Sequence, residues 1–398
     1  MVATAEPSAS RPSTITGIEA IPVRLPLRRH WRWRGMNGEL GHWLVVRVRT
    51  AAGQVGYGEA TPLPDWGGDH QRYAGETQQT VTHVVRDLFG PLLAGLDAFE
   101  LRTAQSRMDA SLRGHPYAKA AVEMALLDVQ GQLSGQPLYR LLGGACRDSV
   151  PLAHMIGLMP VPDAVAEAEA VIAEGTRALQ VKGTGEFGRD QAVLAAVRRA
   201  VGDAIVLRFD ANQGYRNRPV KQAIRELRAL ADTGADLIEQ PGEGLPQMAE
   251  MRAGLDIPVI ADESAWQPLD VLAVARARAA DAISVYIAKA GGVRRAQLTA
   301  AFAQEVGLVC DVNGSLESGI GSAANLHLAL SSPAVTLPCV IPASAPAGTT
   351  TRLTGRYFAD DLIAEPMGLR DGALQPLTGP GLGVTVDDEK LAAYRVDR

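Results

Sequence analysis

A chain of 398 residues is too long for one ordinary hydrophobic core and about right for a barrel-sized domain with a smaller companion. Its composition, 46% apolar and 21% charged, is that of a globular protein, and a formal charge of −5 without a basic stripe argues against a nucleic-acid partner. No uninterrupted apolar run of roughly 18 residues occurs, so no segment is expected to span a membrane.

Residues 1–13 are rich in Ala, Ser, Pro and Thr and read as a disordered tail without the apolar stretch of a secretory signal. Three widely spaced cysteines, Cys146, Cys310 and Cys339, are expected as reduced thiols, which points to the cytoplasm. Over 14–148 strands come first and helices second. Residues 15–25 and 43–49 are rich in β-branched residues, and 53–58 supplies turn chemistry before Glu59. Apolar residues then recur at three and four over 77–93, 98–108 and 117–133. The pattern predicts an α+β domain.

From residue 149 to 345 short β-rich runs alternate with amphipathic helices. Strands are expected at 150–154, 178–182, 205–210, 237–239, 259–262, 283–286 and 309–312, with a last one near 335–341. Parallel strands need helical crossovers, so this alternation predicts an α/β barrel of the TIM type, with an open doubly wound sheet as the rival. The turn-rich segment 346–398 is expected to pack back on the first domain.

Lys182, Asp210, Glu239 and Asp262 fall at the ends of successive predicted strands, 28, 29 and 23 residues apart, one strand–helix unit per step. In a barrel such positions converge on the face where active sites form. An acid at a strand end is often only the N-cap of the next helix. Three in succession are harder to read that way, because convergent carboxylates repel and need a cation. An all-oxygen set without Cys or His favours Mg²⁺, with Mn²⁺ as the alternative ion.

The segments Leu179-Gln180-Val181-Lys182, Phe209-Asp210-Ala211-Asn212, Ile238-Glu239-Gln240-Pro241, Ala261-Asp262-Glu263-Ser264 and Ala288-Lys289-Ala290-Gly291-Gly292, with Gly56-Tyr57-Gly58-Glu59 and Gly379-Pro380-Gly381-Leu382-Gly383, resemble the mandelate racemase and muconate-lactonizing branch of the enolase superfamily. The resemblance implies an N-terminal capping domain over a modified (β/α)7β barrel, one Mg²⁺ on Asp210, Glu239 and Asp262, a small carboxylate substrate bound to that metal, and a homo-oligomer. It also implies removal of the proton beside the carboxylate through an enediolate, chemistry for which this superfamily is a worked example of a Lys or His base with Mg²⁺.

Two positions depart from the family pattern. Where a Lys-x-Lys pair is usual the chain has Gln180-Val181-Lys182, so Lys182 keeps the acid/base position without a cationic neighbour to depress its pKa. Where the sixth strand usually carries a second lysine stands Tyr286, and no His lies in 308–314 to supply a different dyad. Lys289 reads as a flanking residue. Tyr286 serves either as a proton donor or as a wall of the substrate site.

The loop Arg28-Arg29-His30-Trp31-Arg32-Trp33-Arg34 resembles the family's specificity loop, with Trp31 and Arg32 as candidate contacts to an anionic or aromatic group. Gln180, Asn212 and Glu317 complete the candidate substrate contacts, Glu317 having helix capping as its plainer role. Dipeptide epimerases of the family hold the substrate ammonium with a pair of aspartates at the eighth strand, and 337–342 carries no acid, so the resemblance implies that a dipeptide with a free amine is disfavoured. The expected activity is that of a one-base lyase or cycloisomerase. The alternatives are a racemase or epimerase using Lys182 and Tyr286, and a non-catalytic binding protein on the same scaffold.

Overall fold

The computed structural model describes residues 11–36 and 38–396. The expected tail, apart from residues 11–13, lies outside the described residues. Strands Ile15–Arg24, His42–Thr50 and Val55–Ala60 form an antiparallel sheet in that order. The helix Pro116–Ser134 lies across it, and sequence chemistry explains how closely. A Cβ on Gly58 would come within 2.0 Å of the Ala121 carbonyl oxygen, and one on Gly56 within 2.3 Å of that of Ala125. These two glycines are therefore strand residues that admit a helix backbone, whereas the sequence reading assigned them to a turn; only Gly53, with φ 82°, has turn geometry. The helix expected over 77–93 starts on a Thr77–Thr80 capping box and runs as Gln78–His83, a π-helical Val84–Phe89 and Gly90–Leu93.

Seven parallel strands follow in sequential order: Ala153–Ile156, Ala178–Lys182, Val206–Asp210, Leu237–Glu239, Val259–Ala261, Ala282–Val285 and Val309–Val312. The eighth expected strand is irregular, yet it closes the ring. Cys339 exchanges hydrogen bonds with Pro151 and Ala153 on one edge, while Cys310 and Val312 bond to residues 334–340 on the other. Pro338 has no N–H to give a ladder, which accounts for the loss of regular strand there. Closure rules out the open doubly wound sheet, and the fold is a capped, modified (β/α) barrel.

One apolar core runs without a break from the cap sheet, through Tyr117 and Leu126, to Ile283 and Leu328 beneath the later barrel strands. A second fills the space between the earlier barrel strands and their helices, around Leu194, Leu207 and Leu227. The C-terminal segment bonds to both parts: Val396 N donates to Pro22 O and Ala359 N to Pro26 O on the cap, and Ala373–Leu374, itself paired with Leu369–Arg370, pairs with Val150–Pro151 at the base of the barrel. The three cysteines are free thiols. Among the described residues no helix is long and apolar enough to cross a membrane.

Candidate active site

Strand register sets the floor of the site. Lys182 is level with Asp210, and Asp210 with Glu239, across neighbouring parallel strands, so three functional side chains leave the barrel at one height. Side chains two residues apart share a face of a strand, which puts Gln180 below Lys182 and Arg208 below Asp210 inside the same ring. Asp262 stands one residue past its strand, and Tyr286 one past the sixth, as the N-cap of a short helix Ile287–Ala290.

Each of the three carboxylates has a cation from the protein beside it. Lys182 Nζ donates to Asp210 Oδ2 at 2.5 Å, Arg208 Nε to Glu239 Oε2 at 2.6 Å, and Lys289 Nζ to Asp262 Oδ1 at 2.7 Å. Arg208 also pairs with Asp311 and donates to Ser284 Oγ at 2.8 Å. Gln180 is buried and divides its amide between Glu239 Oε2 at 2.8 Å and Asp210 Oδ2 at 3.3 Å, giving hydrogen bonds where a lysine would give charge. Lys289 is 1% exposed and spends its remaining donors on the carbonyls of Asp262 and Ser284. It is thus part of the floor, and its reading as a flanking residue is corrected.

A fourth acid, Glu263, is buried against Asp262 and accepts a long 3.4 Å bond from Asn212 Nδ2, while its Oε2 has no hydrogen-bond partner among the described residues. Burial together with Asp262 and Asp210 pushes its carboxyl well above the usual range. Burial and Glu239 push Asp210 up to about 7, with Lys182 pulling the other way, and burial raises Asp262 despite Lys289. Burial also acts on Glu239, but Arg208 wins and holds it low. Lys182 resists its own desolvation because Asp210 and Glu239 favour the ammonium, and its pKa is raised. Tyr286 is pushed well above the usual phenol value by burial and then by Asp262, so its phenol is neutral.

Asp210, Glu239, Asp262, Glu263 and Asp311 face Lys182, Arg208 and Lys289, which leaves two uncompensated negative charges if all are ionised. Among the described residues no three acids, histidines or cysteines are already drawn together around one point, since protein cations occupy the carboxylates. The donor chemistry nonetheless fits a hard divalent ion: an all-oxygen set, an excess of two negative charges once the acids are ionised, and an unpartnered carboxyl oxygen on Glu263.

Above this floor is a small cavity of about 30 Å³ whose wall includes Gln180, Lys182, Asn212, Asp262 and Tyr286 from the barrel and Trp33, Leu63 and Trp66 from two cap loops. Asn212 has φ 41°, in the left-handed region that asparagine tolerates, and its Oδ1 is buried without a partner. The loop over 28–34 places its two tryptophans differently from the expectation. Trp31 is 1% exposed, donates from Nε1 to the Tyr357 carbonyl at 3.0 Å and lies 3.6 Å beneath the Arg29 guanidinium, so it anchors the loop. Trp33 reaches the cavity, with Lys182 Nζ 5.7 Å from its ring centre. Arg32 is exposed and donates to Gly38 O at 3.2 Å, outside the cavity wall.

Glu317 is also outside that wall. Its Oε1 accepts from the Ser315 backbone N–H at 3.0 Å, and a Cβ on Gly314 would meet its Oε2 at 2.1 Å. It is not the helix cap either: the start of Gly319–Ser331 is capped by Ser318 and by Glu59 and Asp361, which accept from Ser318, Gly321 and Gly319 N–H groups. Sequence reasoning missed Arg208, Asp311 and Trp66, and put Trp31 ahead of Trp33 within the loop. For Arg208 the signal was available, a charge two residues before Asp210 in an otherwise apolar strand.

A capping sheet over a closed barrel, with acids and a lysine at the C-terminal ends of successive strands, defines the enolase class of capped barrel. Residues 163–390 match the family described as enolase C-terminal domain-like, and residues 39–143 match the mandelate racemase / muconate lactonizing enzyme N-terminal domain. The chain is 31% identical to muconate cycloisomerase 1 of Rhodococcus opacus over 96% of its own length and 98% of that protein. It is 30% identical to the N-succinyl-L-Arg/Lys racemase of Bacillus cereus over 81% and 85%. The structure of muconate lactonizing enzyme from Pseudomonas fluorescens complexed with muconolactone superposes with a TM-score of 0.86 at 33% identity, covering 97% of this chain and all of that one. The chain belongs to the mandelate racemase/muconate lactonizing enzyme family of the enolase superfamily.

Proposed function

We propose that this protein is a Mg²⁺-dependent enzyme, with Mn²⁺ as the alternative ion, that moves the proton beside the carboxylate of a small acid through an enediolate, in a one-base lyase or cycloisomerase reaction. The relatives named as cycloisomerases support the reaction class. Asp210, Glu239 and Asp262 hold the ion, with Glu263 adjoining. When bound, the ion stabilises charge that builds on the substrate carboxylate as the proton leaves, more than it stabilises the ground state.

The observation that carries the one-base reading is the contrast between the cavity's two proton-bearing side chains. Lys182 Nζ lies on the wall with an exchangeable ammonium proton, held by Asp210. Tyr286 lies on the same wall as a neutral phenol whose loss of a proton is opposed by burial and Asp262. Lys182 carries the proton: as the ammonium it gives its proton to the carbon beside the carboxylate, and only after losing that proton does the neutral amine take one up; Tyr286 donates a hydrogen bond and shields its side. Gln180 orients the oxygens of Glu239 and Asp210 without adding charge, and the open Oδ1 of Asn212 accepts from the substrate. Trp33, Leu63 and Trp66 exclude water.

Candidate acids incubated with enzyme and Mg²⁺ in D₂O test this. Deuterium entering substrate or product on one face only is expected. Deuterium in substrate of inverted configuration would instead favour a racemase using Lys182 and Tyr286. An activity unchanged in Lys182→Ala would overturn the assignment and favour a binding protein.

A further inference from the structure

A roomy cavity also lies away from the strand ends. A cleft of about 780 Å³ opens on the outside of the barrel, between the cap helix Leu101–Ser111 and the barrel helix Val293–Glu305. Its volume falls in the range of small-molecule sites. Two features distinguish it from an ordinary surface groove.

The first is apolar. Phe99, in the turn before the cap helix, and Leu298, on the barrel helix, line it, 51% and 57% exposed. Large side chains left this open in one cleft give an apolar body something to pack against. The second is charge. Arg102, Arg294 and Arg295 line the cleft against a single acid, Glu100. Arg295 is paired with Asp109, but the side chains of Arg102 and Arg294 make no salt bridge or hydrogen bond among the described residues. At the inner end, Ser332 is 2% exposed and its Oγ is buried without a partner.

We infer that this cleft is a second binding site, separate from the strand-end cavity, for a small organic anion with an apolar body, such as a medium-chain or aryl carboxylate or sulfonate. The guanidiniums of Arg102 and Arg294 take the anionic head as charge-assisted, two-pronged donors. Phe99 and Leu298 pack against the apolar body, and Ser332 supplies a further polar contact. A cation with the same body is disfavoured, because it would meet Arg102 and Arg294, neither of them in a salt bridge among the described residues, with Glu100 the one acid on the described wall.

The test uses the full chain and the fluorescent anion 8-anilinonaphthalene-1-sulfonate, displaced by octanoate or by octylammonium. Saturable binding at one site per chain, displaced by octanoate and not by octylammonium, is expected. The double variant Arg102→Gln/Arg294→Gln should weaken binding about tenfold or more, the effect of losing charge-assisted bonds. Leu298→Ala should weaken it severalfold, and both variants should keep the parent's Mg²⁺ titration, showing that the fold is intact. Equal displacement by octylammonium, or affinity unchanged in the double variant, would overturn the proposal. So would loss of binding as protein concentration rises together with a shift to larger species, which would assign the cleft to a second copy of the chain.

Discussion

On the barrel side of the strand-end cavity, Lys182, Asp210 and Glu239 stand on strands whose register fixes their height to the residue. On the cap side, Trp33, Leu63 and Trp66 stand on loops that have no ladder and are tied down by scattered polar contacts. Glu167 takes Arg28 and Arg29 at 2.9 and 2.8 Å, Asp69 accepts from Ser264 Oγ at 2.6 Å, and Asp270 accepts from the Tyr73 hydroxyl at 2.6 Å. The floor is positioned by backbone hydrogen bonds shared with the whole barrel, the roof by a few side chains. Substitutions in the floor should therefore change chemistry or global stability, and substitutions in the roof should separate loop anchoring from substrate contact.

The largest effect is expected at Lys182. Removing the group that carries the proton, in Lys182→Ala, should lower turnover by roughly 10² to 10⁴-fold with Mg²⁺ affinity retained, measured by single-turnover rates and calorimetry. Next is Arg208→Met, which leaves Glu239 and Asp311 buried without their cation. Breaking a buried pair from one side costs about 3–5 kcal/mol, to be read from denaturant unfolding. In the roof, Trp31→Ala should cost a similar 3–5 kcal/mol by emptying a buried site, whereas Trp33→Ala should leave stability nearly unchanged and raise KM. Equal stability losses would erase the distinction between anchor and contact. Gly58→Ala tests the cap–helix approach and should destabilise by about 1–3 kcal/mol, since its Cβ would strike the Ala121 carbonyl.

The smallest expected effect concerns acid. Burial raises the Glu167 carboxyl, but the His154 hydrogen bond and the charges of Arg29 and Arg28 bring it down to about 2. His154 accepts from Gly355 N at Nδ1, so its proton is assigned to Nε2, where it faces Glu167 at 2.9 Å. A carboxylate with a depressed folded-state pKa contributes stability above its unfolded value of about 4.5, and that contribution is lost as pH falls toward 2. The parent should lose on the order of 1–3 kcal/mol across that window relative to Glu167→Gln, in urea melts at a series of pH values. Parallel curves would remove Glu167 from the account of the loop.

The barrel floor was legible because one strand–helix unit repeats, so Lys182, Asp210, Glu239 and Asp262 could be placed in a ring by counting. Arg208 and Asp311 were not placed, because a pair joining the third strand to the seventh has no local signature until the sheet closes. Lys289 was misjudged for a related reason: the turn after Tyr286 brings it back under Asp262, which strand periodicity does not encode. The roof was read least well. An irregular loop of alternating Arg and Trp leaves open which tryptophan faces in, and here the Tyr357 carbonyl and the Arg29 guanidinium settle it by taking Trp31. Glu317 was misread in the same way, since the acid that caps the following helix, Glu59, comes from the other domain.

The measurement that bears most directly on the central claim is a calorimetric titration of Mg²⁺ into the parent chain and into Asp210→Ala and Glu239→Ala, with unfolding curves to show that each is folded. One ion bound per chain in the parent, with binding lost in both variants, is the predicted result. Mg²⁺ affinity unaltered in either folded variant would contradict the assignment of these carboxylates to the metal.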